Sequence, residues 1–385
     1  MSNDSVTRRE LLRHGGLAGA ATLAAACAPA AAPAGTSGGA PSSTARQGWE
    51  QQWDDMVAAA KKEGKVSVFT SIGESYRRAL DGFQAAFPGI EVEHTPLQLA
   101  NFVPKILQER EAGVYNFDAM ATTFGAQGAK FLANKGADPV LPAFIRPEFK
   151  EDGTWNDGSF AIGWLDNAKQ YAYAATNERS RALNIDLGQV KDDEIKTFQD
   201  LLNPKWKGKI LSQDPRLIGS GYTSLTAVRL ALGDDIIRKF WRDQEIVLGR
   251  EGRQMTEAMV RGRYAIGIGA VDPQIFRDFQ AEGLGKNIKY IEIPNFEYIT
   301  NRAVLYIVNK APHPNAAKLF VNWMMTKEGQ QVWTKATAQN SRRKDVPPED
   351  SELLPTPGYK YYISNESALD ELLKTQDISK EIFGP

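Results

Sequence analysis

The chain has 385 residues, of which 42% are hydrophobic and 24% charged, and its formal net charge at pH 7 is −1. This near-neutral balance gives no electrostatic basis for binding nucleic acid or an acidic membrane surface, because both need a basic excess. The length exceeds what a single hydrophobic core usually organises, so we expect two domains.

An export signal is predicted over residues 1–26. Arg8 and Arg9 precede an apolar run from Gly15 to Ala26, and this run is too short for a permanent membrane-spanning helix. The segment Thr7–Arg13 resembles the twin-arginine export motif, which implies a bacterial chain that crosses the membrane. We therefore expect an exported protein, located in a periplasm or on the cell surface.

The only cysteine, Cys27, directly follows this signal. Residues 24–27 resemble a lipobox, in which the cysteine is acylated and anchors the mature chain to the membrane. The alternative is cleavage at an Ala-x-Ala site, with Cys27 incidental. In either case residues 27–48, dominated by Ala, Pro, Gly, Ser and Thr, are predicted to include a disordered tether.

Strands and helices alternate in the first part of the folded region. The pattern predicts helices over 49–62, 76–87 and 103–112, and strands over 65–70, 90–95 and 117–121. In one sheet this order means parallel strands, whose ligand loops lie at the carboxyl ends of the strands. The loops 71–75 and 122–125 are therefore the candidate ligand loops.

A second set of elements follows from residue 169 onward. Alternation predicts strands over 169–180, 264–270 and 303–309, helices over 255–261 and 313–333, and a strand, loop and helix within 198–233. No internal repeat or heptad array is present.

Enzyme signatures are missing from the sequence. It holds three histidines and no Gly-x-Ser-x-Gly, His-Glu-x-x-His or P-loop motif, which argues against hydrolase, zinc-protease and ATPase function. Gly267-Ile268-Gly269 superficially resembles a dinucleotide fingerprint, but Asp272 stands in place of the third glycine, so a tight strand end is the better interpretation. We expect no catalytic residue, no metal and no cofactor.

Two segments place hydroxyls and backbone N–H groups where a strand turns into a helix. Both favour a carboxylate or phosphate. Taken alone, a serine there is more typical of a helix cap, a glutamate of a first-turn dipole partner and an arginine of a surface ion pair. Matching positions in both halves favour the ligand-binding interpretation. The residues are Ser71, Gly73 and Glu74 in the first half and Arg216, Ser220 and Gly221 in the second.

Three segments are similar to extracellular solute-binding proteins of ABC importers: 201–221, 313–333 and 131–144. The nearest branch includes ferric-iron, thiamine, aminophosphonate and sugar-phosphate binders. The resemblance covers nearly all of residues 49–345.

This resemblance implies an α/β fold with two lobes, each a mainly parallel sheet flanked by helices, and a ligand cleft between them. It is the type II-like fold of periplasmic binding proteins. The implied first lobe takes residues 49–172 and 295–345, and the second takes 173–294. The resemblance does not assign the C-terminal tail, 346–385, to either lobe.

The implied function is that of the substrate-binding subunit of an importer. It captures a small anionic organic solute and delivers it to a permease with its ATPase subunit. We expect a monomer that binds no nucleic acid and meets the membrane only through a lipid anchor. Thr122 would complete the cleft from the first lobe, and Tyr222 and Asp272 would orient the solute.

Two other functions remain open on the same scaffold, a ferric-iron or iron-chelate receptor and an exported enzyme. Iron-binding members carry an adjacent tyrosine pair after the strand that corresponds to 264–270. This chain continues with Val271-Asp272, which disfavours ferric ion, although Tyr76, Tyr171 and Tyr222 remain as phenolic oxygens.

Overall fold

The computed structural model describes residues 48–217, 219–356 and 359–385. The predicted export signal, the lipidation of Cys27 and the tether up to residue 47 lie outside the described residues. Within the described ranges, no helix combines the length and the apolar character that a membrane span requires.

The α-helices are α1 Gly48–Glu63, α2 Glu74–Ala86, α3 Leu99–Glu111, α4 Gly125–Ala133, α5 Ser220–Leu232, α6 Asp234–Asp243, α7 Gly252–Val260, α8 Pro273–Ala281, α9 Pro314–Met325, α10 Lys327–Thr337 and α11 Leu369–Phe383. The strands are β1 Lys65–Thr70, β2 Glu91–Pro96, β3 Ala119–Thr122, β4 Ala137–Asp138, β5 Tyr173–Ala174, β6 Glu178–Arg179, β7 Leu183–Asp186, β8 Ile210–Gln213, β9 Val247–Gly249, β10 Ile266–Ile268, β11 Ile288–Tyr290, β12 Tyr298–Thr300, β13 Val304–Val308 and β14 Tyr362–Ile363. Short 3₁₀ turns occupy much of 141–163 and 198–206.

The first sheet has the order β2-β1-β3-β13-β4, with β5 also paired to β13. Every residue of β1 after Lys65 is buried, as its β-branched and aromatic composition predicts. Apolar side chains cover both faces of this sheet: Phe83 packs edge-on against Phe320 and Trp323 in one cluster, and Phe69 stacks on Phe102 in the other.

The second sheet has the order β11-β7-β10-β8-β9. Its core includes Phe198, Phe240 and Ile266, and helix α5 is buried continuously from Gly221 to Arg229. Parallel pairs join β8 to β10 and β9, and antiparallel pairs join β7 to β10 and β11.

A third, three-stranded sheet lies where the chain passes between the other two. It has the order β14-β12-β6, in which β6 leads towards the second sheet and β12 leads back to the first. We call it the crossing sheet. The two-lobed α/β fold is thus confirmed, and both large sheets are mixed rather than mainly parallel. The returning strand β13 is antiparallel to β3, which accounts for the mixture in the first sheet.

The C-terminal tail belongs to this framework. Strand β14 pairs in parallel with β12, and helix α11 packs on α5 and α6. The buried guanidinium of Arg229 donates to the Asp234 and Glu371 carboxylates and to the Thr375 hydroxyl. The tail therefore fastens the crossing sheet to the second lobe.

Candidate functional site: an arginine-lined cavity at the crossing sheet

A cavity of about 240 Å³ opens at the carboxyl ends of β8 and β10. Gln213 at the end of β8, Ser220 at the start of α5 and Gly269 just after β10 line one side. Thr300 of the crossing sheet and Ala338, which follows α10, line the other. The cavity therefore lies where ligands of parallel α/β sheets usually bind.

Positive charge dominates the lining. Two carboxylates, Glu178 and Asp272, face five arginines. The arginines are Arg179, Arg181, Arg250, Arg277 and Arg302.

Acidic residues that do not line the cavity hold three of these arginines. The pairs are Arg179 with Glu292 at 2.5 Å, Arg181 with Asp350 at 3.1 Å and Arg250 with Asp214 at 2.9 Å. Their charges are largely compensated before any ligand arrives.

Arg277 and Arg302 are much less compensated. Arg277 is exposed on α8 and forms no hydrogen bond or ion pair with any residue that the structure describes. Arg302 approaches Glu178 only at 3.8 Å. Burial raises the pKa of Glu178, while the positive charge of Arg302 opposes that shift. The cavity thus offers two guanidinium groups to an anion.

The amino end of α5 also faces this cavity. Gln213 Oε1 accepts the Gly221 N–H at 3.1 Å and so occupies one donor of the helix start. A Cβ atom at Gly219 would lie 2.3 Å from the Gln213 amide, so a larger residue there would displace that side chain from the helix start. An anion reaching the helix end would replace the Gln213 oxygen, a neutral acceptor, with a charged one.

The structure brings some predicted residues of the second half to the cavity. Ser220 and Asp272 line it, and Gly221 lies directly behind Gln213. Asp272 also caps α8, because its Oδ1 accepts the Ile275 N–H at 3.0 Å.

Arg216, also predicted to bind the anion, does not line this cavity. It donates to both carboxylate oxygens of Asp214 at 2.8 and 2.9 Å, and its third nitrogen donates to the carbonyls of Phe383 and Gly384. Burial alone would raise the pKa of Asp214, but the hydrogen bonds from Arg216 and Arg250 lower it to about 2. The nearby acid and the C-terminal carbonyls therefore occupy the Arg216 guanidinium.

Tyr222 is also away from the cavity. It is 3% exposed within α5, and burial raises its pKa. Residues two places apart lie on nearly opposite sides of a helix. Because Ser220 faces the cavity, Tyr222 points into the lobe.

Ser71 and Thr122 meet at the carboxyl ends of β1 and β3, with their hydroxyl oxygens 3.1 Å apart. Burial raises the pKa of the neighbouring Tyr76 hydroxyl, and the positive charge of Arg302 opposes that shift. Gln339 donates to the same hydroxyl at 3.3 Å. This first-lobe cluster therefore lies within electrostatic reach of Arg302 but does not line the cavity.

Gly73 and Glu74 are also outside the cavity lining. Gly73 has a φ of 148°, which favours glycine, and Glu74 is exposed in the first turn of α2. A favourable interaction with the dipole of α2 is sufficient to explain a glutamate at this position.

The sequence did not predict the five arginines of the cavity as a group, because they are spread over more than a hundred residues of the chain. One local signal was available: Arg179 and Arg181 are two residues apart at the end of a predicted strand, so they share a face. Within the described part of the chain, no group of three or more His, Cys, Asp or Glu side chains is arranged to hold a metal ion.

Comparison with solved structures gives the same fold. Iron-bound HitA from Pseudomonas aeruginosa aligns with a TM-score of 0.63 at 14% identity, covering 83% of this chain and 99% of that one. The Trichodesmium protein IdiA (FutA), in complex with iron and citrate, aligns at 0.64 and 16%, covering 84% and 100%. AfuA from Actinobacillus pleuropneumoniae, with fructose-6-phosphate bound, aligns at 0.58 and 17%, covering 83% and 98%.

A search of curated protein sequences gives no match. Residues 78–353 match the profile of the family described as bacterial extracellular solute-binding protein, and this segment is well over half of the chain. Together with the two-lobed fold, the match places the chain in the bacterial extracellular solute-binding protein family.

Proposed function

We propose that this protein is the solute-binding subunit of an ABC importer for a small anionic organic solute. The observation that carries the proposal is the pair of under-compensated guanidinium groups, Arg277 and Arg302, in one cavity. A bound carboxylate or phosphate would supply the missing negative charge through bidentate hydrogen bonds. The solute passes unchanged to a permease and its ATPase subunit.

Ser220 and the start of α5 add neutral donors to these two charges. Ser71 and Thr122 contribute hydroxyls from the first lobe once the lobes close about the crossing sheet. In this scheme residues 49–172 and 295–345 move as one lobe and 173–294 as the other. A solute that contacts both lobes stabilises the closed form, which is a shift of population between two conformations.

Ferric ion is a weaker candidate solute for this site. A tyrosinate ligand must lose its proton, and burial raises the pKa of both Tyr76 and Tyr222. The family resemblance implies a tyrosine pair after β10 in iron-binding members, and this chain has Val271 and Asp272 there. An iron chelate with free carboxylates stays within the anionic class and enters the test below.

We further propose that the protein is exported through the twin-arginine route and anchored through acylated Cys27 as a monomer. Mass spectrometry of the membrane fraction would show an amino-terminal acylated cysteine. A soluble mature chain cut before or after Cys27 would contradict the anchor and leave the solute proposal standing.

Thermal shift of the full chain tests the solute class. The panel holds dicarboxylates, phosphate monoesters, phosphonates, ferric citrate and ferric chloride. We expect an organic anion to raise the melting temperature, because a ligand that binds only the folded state stabilises it by mass action. A visible charge-transfer band with ferric chloride alone would favour iron, and consumption of a panel compound followed by NMR would favour an enzyme.

Arg277→Gln should weaken binding of the anionic hit by about tenfold or more, which corresponds to about 1.4 kcal/mol. Its own melting temperature should stay close to that of the parent, since Arg277 has no partner to lose among the described residues. Arg78→Gln is the matched control, because Arg78 is also exposed but lies on α2 outside the cavity. Equal losses in both variants would remove Arg277 from the site.

A further inference from the structure

A second cavity, of about 430 Å³, lies on the opposite face of the crossing sheet. The residues Asn177, Ile299 and Asn301 line it, while their chain neighbours Glu178, Tyr298 and Thr300 line the arginine cavity. Successive side chains of a strand point to opposite faces, so β12 separates the two cavities. We call the second one the rear cavity.

Charge is cancelled inside the rear cavity. Arg342 and Asp157 both line it, and they form a two-pronged ion pair with distances of 2.8 and 2.9 Å. The remaining Arg342 N–H groups donate to the carbonyls of Ala174 and Ser159. The rear cavity therefore provides no spare charge for an ionic ligand.

Aromatic and aliphatic surface forms much of the remaining lining. Tyr359 and Tyr361 stand with ring centroids 4.5 Å apart. Both hydroxyls are used elsewhere, Tyr359 on the Ile293 carbonyl and Tyr361 on Glu292, so the rings are left to present carbon surface. The side chains of Ile162, Ile299 and Ile363 add aliphatic surface around them.

Carboxamides supply the uncharged polar groups. Asn156 and Asn177 hydrogen bond to each other, and Asn301 donates from its nitrogen to the Thr176 carbonyl. No hydrogen bond to Asn301 Oδ1 occurs within the described residues, so that oxygen remains able to accept one. Small-molecule sites are generally lined by aromatic and aliphatic side chains with a few polar groups, and the lining of the rear cavity has this composition.

We propose that the rear cavity binds a small uncharged ring compound with hydrogen-bonding groups at its rim. Two sources share this chemistry, neutral monosaccharides and nucleosides. The wall formed by Pro355, Thr356, Tyr359, Tyr361 and Ile363 lies beyond the segment 78–353 that matches the family profile. One wall of the site is therefore built from a part of the chain that the family match does not include, while the rest lies within the matched segment.

Saturation-transfer NMR on the full chain tests the proposal with two probe sets, glucose and galactose in one and uridine and adenosine in the other. We expect one set to bind, with no competition from an anion. Ile162→Trp should fill the rear cavity and weaken that binding by about tenfold or more. Ile162 is 44% exposed, so the larger side chain can be added without opening the core.

Leu187→Trp is the control, because Leu187 is also 44% exposed and does not line the rear cavity. Thr356→Trp should block the rear cavity from another wall. It replaces Ile162→Trp as the test if Ile162→Trp lowers the melting temperature. Absence of binding by both probe sets would overturn the proposal, as would binding that neither blocking variant weakens. The result is independent of the anion proposal, which depends on Arg277 and Arg302.

Discussion

The two cavities of the crossing sheet use arginine in opposite ways. In the arginine cavity, Arg277 is without an ion-pair partner among the described residues and Arg302 has one distant contact. In the rear cavity, the Arg342 side chain is 1% exposed and every guanidinium nitrogen has an acceptor. The two arginines of the proposed anion site are thus under-compensated, whereas the arginine of the rear cavity is fully paired.

The difference follows from solvation. A buried guanidinium must be paired, since burying an isolated charge costs several kcal/mol. An exposed guanidinium is solvated by water until a ligand carboxylate or phosphate replaces that water. The number of acceptors around each arginine therefore separates the two roles.

Arg342→Met should produce the largest loss of stability. It leaves the Asp157 carboxylate without its main partner and removes the guanidinium that lies over the rings of Trp155 and Tyr173. Breaking a buried ion pair from one side typically costs about 3–5 kcal/mol. Urea denaturation measures the change in the free energy of unfolding.

The double variant Arg342→Met with Asp157→Asn controls for the stranded carboxylate. It should recover part of the loss, because the remaining partner is then neutral. A loss below about 1 kcal/mol in the single variant would mean that the Arg342 ion pair does not stabilise the fold, and the contrast with Arg277 would fail.

Local sequence signals predicted several elements of the first lobe. Strand β1, Lys65–Thr70, has the predicted bounds, because a β-branched and aromatic run after Gly64 has no helical alternative. Helix α3 begins at Leu99 rather than near Val103, and Pro104 lies inside it. Proline is tolerated best in the first turn of a helix, and here it lies in the second turn of α3.

The site itself was only partly predictable. Ser220 and Asp272 follow strands of the second sheet, and strand ends can be inferred from the pattern of hydrophobic residues. Arg216 also follows such a strand, but its partners Phe383 and Gly384 are more than 160 residues away. Whether an arginine is already paired within the protein depends on such long-range contacts. The spacing of residues in the local sequence does not predict them.

Glu297→Gln should have the next largest effect, at the start of the strand that both cavities share. Burial raises the pKa of Glu297 to about 8, while the hydrogen bond from Ser180 opposes the shift and the charge of Glu292 adds to it. The folded state therefore holds a proton that the unfolded state releases near pH 4.5. This contribution to stability is full below pH 4.5 and is lost as the pH rises through 8.

Urea midpoints of the parent and Glu297→Gln at pH 5, 6.5 and 8 would measure this dependence. The parent should lose stability between pH 5 and 8 relative to the variant, at a slope of no more than about 1.4 kcal/mol per pH unit. The variant cannot ionise, so its curve should lack that component. Parallel curves would show that Glu297 titrates normally in the crossing sheet.

Arg216→Gln tests the comparison at the arginine that the sequence analysis assigned to the anion. If the occupied guanidinium is structural, the variant should lose about 1–2 kcal/mol of stability, because Asp214 keeps Arg250 as a second partner. Its affinity for the anionic hit should change by less than about twofold. A tenfold loss of affinity at unchanged stability would instead mean that Arg216 exchanges Asp214 and the C-terminal carbonyls for the solute. In that case the number of partners around an arginine in the unliganded protein would not distinguish a ligand-binding arginine from a structural one. Arg250, which also pairs with Asp214, would then be the next residue to substitute.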